Sequence, residues 1–147
     1  MRGKVVDQRF LVSWAVAMVI WFGGAFLINT QIVDYSMPAH YMRPWDQELR
    51  LYWIMIVADF MFTAGVVWFY ARLVERGPWL MRGVVFGLRV ALLTAVPFFM
   101  RNYTVYPAPP KLLIQQCVGF AVLLMLIGAA VAFLYRHGRA PYRGTAA

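Results

Sequence analysis

The chain is poor in the residues that most catalytic and metal sites require. Its 147 residues include one cysteine, Cys117, and two histidines, His40 and His137. One cysteine excludes an intramolecular disulfide and any Cys-x-x-Cys metal or redox motif. Neither histidine lies in an apolar run, which excludes a bis-histidine haem between membrane helices. HExxH, GxSxG, P-loop and GxGxxG patterns are also missing, so the sequence predicts a protein that is not an enzyme and holds no cofactor.

Charged residues are scarce as well. They make up 14% of the chain, against roughly 25% in soluble domains, whereas 63% of the residues are hydrophobic. A net charge of +8 would suggest nucleic acid as the partner of a soluble protein. Here the basic residues lie between apolar runs and at the chain ends, a distribution typical of membrane proteins. The sequence therefore predicts a lipid bilayer as the partner, and no nucleic acid.

Four long apolar runs dominate what is present, at about 10–28, 51–70, 83–100 and 112–135. Each is long enough to cross about 30 Å of hydrocarbon as a helix. Hydrocarbon offers no partner for a backbone N–H or C=O, so each run must be helical. The first run is longer than the apolar h-region of a usual signal peptide and has bulky Trp21 and Phe22 near its far end, which favours an uncleaved span. We predict an all-α integral membrane bundle of four transmembrane helices, forming a single domain over 1–147.

The distribution of basic residues predicts the orientation. Cytoplasmic loops of membrane proteins carry an excess of Lys and Arg. The side that holds the two termini carries nine such residues, and the other side carries four, namely Arg43, Arg50, Arg101 and Lys111. We therefore predict that both termini are cytoplasmic, that 136–147 is a short basic cytoplasmic tail, and that the protein lies in a bacterial cytoplasmic (inner) membrane. Trp45 and Trp53 then flank the outer boundary of the bilayer, and Trp68 and Trp79 the inner one.

The third apolar run combines a ladder of small residues with a single charge. Four small residues recur at intervals of four, which places them on one helix face: Gly83, Gly87, Ala91 and Ala95. Such residues let membrane helices approach closely, so the ladder predicts a helix-packing face. At 100° per residue, Arg89 lies about 180° from the centre of the ladder. The sequence therefore predicts a helix with two faces that both favour contact with protein, and Pro97 predicts a kink near its end.

Arg89 has two interpretations. In one, its long side chain reaches the phospholipid headgroups, because it lies six residues beyond the start of the run. In the other, it pairs inside the membrane with Asp59, the one carboxylate within an apolar run. An ion pair between them would hold the second and third helices in register. We predict the intramembrane pair Asp59–Arg89, with contact of either residue with another subunit as an open alternative.

Asp59 belongs to a polar stripe on the second helix. Three further polar side chains lie within about 40° of it at helical spacing, namely Tyr52, Thr63 and Tyr70. A polar line of this kind normally faces protein or water and not lipid. The stripe fits a fixed packing surface, and it also fits a polar track in which Asp59 carries a proton or cation.

Three residues of the loop after the first run form a weak metal candidate, Met37, His40 and Met42. Thioethers and an imidazole suit Cu(I), but Met is common in this chain, which favours ordinary packing and no metal site.

The predicted function follows from the composition of the chain, which consists almost entirely of predicted membrane spans with short connections. We expect an accessory or scaffold subunit of a larger bacterial membrane assembly, which packs on other membrane subunits or on itself through the third helix and is held by the Asp59–Arg89 pair. The alternative is a small oligomeric transporter or channel in which Asp59 is the proton or cation site.

Overall fold

A computed structural model of the chain describes residues 8–32, 45–72, 77–105 and 110–136. These residues form helices and contain no strand. The helices are α1 (Gln8–Leu27), α2 (Trp45–Arg72), α3 (Trp79–Leu93), α4 (Ala95–Val105) and α5 (Pro110–Tyr135). A π-helical turn, Ile28–Ile32, directly continues α1. The predicted all-α architecture is confirmed.

Four segments are long and apolar enough to cross a membrane. They are Gln8–Gln31, Tyr52–Arg72, Trp79–Thr104 and Pro110–Tyr135. Large apolar side chains also cover the outside of the bundle, and Leu93 is 79% exposed, Val19 74% and Met61 71%. Helices that are apolar on their outward faces as well as towards the core are typical of membrane spans, because lipid solvates the outward faces. The chain therefore has the structure of a multi-pass membrane protein.

Helix α5 is the centre of the bundle and contacts every other helix. It begins at Pro110, a residue whose missing N–H has no cost in the first helical turn. Its buried face includes Leu124, Ile127 and Val131, each no more than 1% exposed. Helix α3 packs mainly on α5, whereas α2 packs mainly on α1. The bundle thus consists of two helix pairs that meet along α5.

The small-residue ladder of α3 forms the closest of these contacts. Gly83, Gly87, Ala91 and Ala95 are all buried. A β-carbon added at Gly83 would lie 2.7 Å from the α-carbon of Ala129, and one added at Gly87 would lie 2.6 Å from the α-carbon of Met125. Only hydrogen fits at these two positions, because the neighbouring atoms belong to the α5 backbone. The ladder is therefore occupied by α5 within the same chain.

The third membrane-spanning segment is broken between α3 and α4. Helical geometry is lost at Thr94, three residues before Pro97. Because proline has no N–H, the carbonyl of Leu93 lacks its usual helical donor, and the helix cannot pass Thr94 undistorted. The Thr94 hydroxyl donates to the Val90 carbonyl at 2.7 Å. The kink predicted from Pro97 is thus present, and the span extends from Trp79 to Thr104, beyond the predicted 83–100 at both ends.

Candidate functional site

The described residues form a cleft of about 600 Å³, which we call the aromatic cleft. It lies between α1, α2, α5 and the break that separates α3 from α4. Its size is in the range of small-molecule sites, roughly 300–1,000 Å³. Half of its sixteen lining residues are aromatic: Trp21, Phe22, Phe26, Tyr52, Phe62, Phe98, Phe99 and Phe120.

The polar lining of the aromatic cleft is sparse and of one charge sign. Asp59 is the charged residue of the lining, and among the described lining residues there is no Lys, Arg or His. Asn29, Thr30, Thr94 and Gln116 supply neutral polar groups. The cleft is therefore an apolar, aromatic surface with a single embedded carboxylate.

Asp59 is held by a donor from the neighbouring helix. The Trp21 side chain of α1 donates a hydrogen bond to the Asp59 side chain of α2. The Trp21 ring is also packed, with its centroid 4.9 Å from that of Phe62 and 5.6 Å from that of Phe120. Trp21 therefore orients the carboxylate, and the ring itself is fixed between α2 and α5.

A second indole bond lies one turn along α2. The Trp14 Nε1 atom donates to the Thr63 hydroxyl at 3.1 Å, and Thr63 is 1% exposed. The Thr63 hydroxyl oxygen is also 2.7 Å from the Asp59 carbonyl oxygen, an acceptor in the preceding turn of α2. Two tryptophans of α1 thus donate to two polar residues of α2, and these bonds fix the register of the pair next to the cleft.

The predicted polar stripe of α2 faces different surroundings along its length. Tyr52 is 48% exposed and lines the aromatic cleft, as Asp59 does. Thr63 is enclosed between α1 and α2. Tyr70 is 4% exposed, and its ring contacts Phe86 of α3 and Tyr135 of α5. The stripe therefore combines packing positions in one half of α2 with a cleft surface in the other.

Arg89 lies on the exposed side of α3, away from the buried ladder. Its neighbours Leu92 and Leu93 are 56% and 79% exposed. The partner of Asp59 that the structure identifies is Trp21, and α2 and α3 pack mainly on other helices. The intramembrane pair Asp59–Arg89 stays a prediction.

The structure does not test the weak metal candidate of the first loop. Met37, His40 and Met42 lie outside the described residues, as does most of the 136–147 tail. Within the described ranges, no group of three or more His, Cys, Asp or Glu residues is placed to hold a metal ion. Cys117 is a half-buried thiol in α5.

Sequence reasoning missed the cleft and both indole donors. A signal for the donors was present, because Trp14 and Trp21 are seven residues apart and therefore lie on one face of a helix. The sequence does not indicate which helix that face meets. The cleft left no comparable signal, since its residues come from four separate segments.

Comparison with known proteins found no matching family model, no similar curated protein and no similar solved structure.

Proposed function

We propose that the protein is a non-enzymatic accessory subunit of a larger assembly in a bacterial cytoplasmic membrane, with both termini in the cytoplasm. The excess of basic residues on the side of the termini supports the orientation. In this proposal the exposed side of α3, which carries Arg89, packs on another membrane subunit.

The position of Arg89 is the observation that carries this proposal. The opposite side of α3 is buried against α5. At Gly83 and Gly87 there is space for a hydrogen atom but not for a β-carbon, so no further helix can pack on this side. The side that remains exposed carries a guanidinium group ten residues into the helix, next to the exposed Leu92 and Leu93. A charge in the hydrocarbon layer costs about 2.5–3.5 kcal/mol by insertion scales. Arg89 already interacts within this chain, and a partner helix that packs over Leu92 and Leu93 would in addition shield its charge from the hydrocarbon.

The test is purification of the tagged full chain from its native membranes in a mild detergent. We expect larger, stoichiometric membrane proteins to co-purify with the natural chain and to be lost with Arg89→Leu. Arg101→Leu is the matched control, because it makes the same substitution at another exposed arginine, on α4. Equal recovery of partners with both variants would contradict the proposed interface, and recovery of a homodimer alone would show that the partner is a second copy.

A second candidate function is a small oligomeric transporter or channel that uses Asp59 as its proton or cation site. The observation that favours it is the position of Asp59 in the wall of the aromatic cleft, within a membrane-spanning segment. Reconstituted vesicles test it directly. We expect pH-dependent cation flux with the natural chain and none with Asp59→Asn, whereas flux that survives this substitution would exclude Asp59 as the ion site.

A further inference from the structure

We infer that the aromatic cleft binds a lipophilic organic cation, whose positive charge is held by Asp59 and whose apolar groups lie on the aromatic walls. The inference concerns binding and rests on the second candidate's use of Asp59, not on the accessory role proposed for Arg89.

The charge of the ligand follows from the lining. The aromatic cleft has one carboxylate and, among its described residues, no basic side chain to neutralise it. An anion would be repelled by Asp59, and a neutral ligand would leave the carboxylate without a counterion among the described lining residues. A cation supplies the positive charge that the described lining lacks, so the lining favours a positive ligand.

The aromatic walls favour an organic cation over a metal ion or a proton alone. Ring faces attract cations within about 6 Å, and aromatic cages are a recurring means of binding quaternary ammonium groups. Phe62, Phe99 and Phe120 provide such rings around the same space as Asp59. A metal ion would instead require several oxygen, nitrogen or sulfur ligands, and the described residues offer no such group.

The rim of the cleft indicates how the ligand arrives. Phe26 is 65% exposed, Tyr52 48% and Phe98 59%, so the cleft opens on the outside of the bundle through aromatic side chains. In a membrane-spanning bundle this outside surface faces lipid over most of its height. A cation that partitions into the bilayer can therefore enter sideways, which favours bulky, apolar cations over small hydrophilic ones.

The experiment measures binding of tetraphenylphosphonium to the purified full chain in nanodiscs of phosphatidylglycerol. Triphenylphosphine oxide serves as the neutral analogue. We expect Asp59→Asn to weaken phosphonium binding by at least about tenfold, because truncating one partner of a desolvated charge pair costs several kcal/mol. Asp59→Glu keeps the charge and should stay within about threefold of the natural chain, and neither substitution should change binding of the neutral analogue more than about twofold.

A second variant covers the case in which Asp59→Asn fails to fold. Thr94→Trp adds bulk at an exposed residue of the lining without touching the charge, and we expect it to weaken phosphonium and neutral analogue alike. Unchanged phosphonium binding in a folded Asp59→Asn variant would overturn the inference, as would unchanged binding in Thr94→Trp or no binding to the natural chain.

The natural cation has two sources, a free compound or the ammonium headgroup of a lipid. Repeating the titration in nanodiscs that contain phosphatidylethanolamine separates them. An apparent Kd that rises with the phosphatidylethanolamine fraction assigns the cleft to a headgroup, and a constant Kd assigns it to a free cation. Phosphonium binding without ion flux would leave this inference intact and exclude the transport function, whereas flux without binding would do the reverse.

Discussion

The α3–α5 contact and the α1–α2 contact join antiparallel membrane helices by different physical means. At α3–α5, glycine and alanine bring two backbones together, and no side chain separates Gly87 from the α5 backbone. At α1–α2, large side chains separate the backbones, and two indole N–H groups donate to Thr63 and Asp59 across the gap. Close backbone contact leaves no room for a ligand. Contact through aromatic side chains leaves space, and the aromatic cleft lies beside this second pair, between it, α5 and the α3–α4 break.

The two charged residues within the spans, Asp59 and Arg89, lie in these two different regions. Asp59 belongs to the loosely packed pair and lines the cleft. Arg89 belongs to the tightly packed pair and lies on its exposed side. In the proposals above, Asp59 accordingly serves ligand binding and Arg89 serves assembly.

Gly87→Ala should have the largest effect, because its β-carbon would lie 2.6 Å from the α-carbon of Met125. Overpacking of this kind typically costs about 1–3 kcal/mol, and here backbone atoms must move. We expect a marked loss of folded protein, measured by fluorescence size-exclusion after heating. Gly65→Ala is the matched control, since a β-carbon there meets nothing within 4 Å. Equal loss in both variants would show that close backbone contact does not hold α3 on α5.

The charge swap Asp59→Arg/Arg89→Asp has the next largest expected effect and tests whether the two regions are linked by an ion pair. Asp59 has its hydrogen-bond donor on α1, and Arg89 lies on the outer side of α3. If Arg89 faces another subunit, we expect the swap to accumulate at or below the level of Asp59→Asn or Arg89→Leu alone, because it places a guanidinium group in the cleft at a cost of about 2.5–3.5 kcal/mol. The intramembrane pair predicted from the sequence would instead raise the swap above both single variants.

Membrane accumulation, quantified by immunoblot against the natural chain, is the readout. Recovery of the swap above both single variants would establish the intramembrane pair and remove Arg89 from the proposed subunit interface.

Thr63→Val should have the smallest effect, since it keeps the side-chain volume and removes only the hydroxyl, which accepts from Trp14 Nε1 and lies 2.7 Å from the Met18 sulfur, both on α1. Interhelical hydrogen bonds in membrane proteins average about 0.6 kcal/mol, with a maximum of about 1.7. We expect a loss in that range in an unfolding titration followed by tryptophan fluorescence. Thr104→Val is the control, because its hydroxyl bonds only within α4, to the Arg101 carbonyl at 2.7 Å. A loss no greater than that of the control would mean that packing alone holds α1 on α2.

Patterns within single helices were sufficient to predict the helices themselves, the kink in the third span and the small-residue face of α3. Membrane-spanning length follows from run length, because lipid forces an apolar run of twenty residues into a helix. The break at Thr94 follows from the missing N–H of Pro97. The small residues of α3 indicate close packing wherever they lie, although their spacing does not identify the helix they meet. Gly128 of α5, which faces Gly83 across the contact, carried no signal of that pairing in the sequence.

What the amino-acid sequence determined by itself is the membrane setting of this protein, because hydrophobic run length and backbone hydrogen bonding act locally along the chain. Only the tertiary structure decided that α5 fills the α3 ladder, that Trp21 donates to Asp59, and that eight aromatic residues line the same cleft as this carboxylate. Each of these depends on which helix faces which. In lipid, close packing and hydrogen bonds between residues far apart in the chain determine which helices are neighbours. The periodicity of a single helix does not indicate its neighbours.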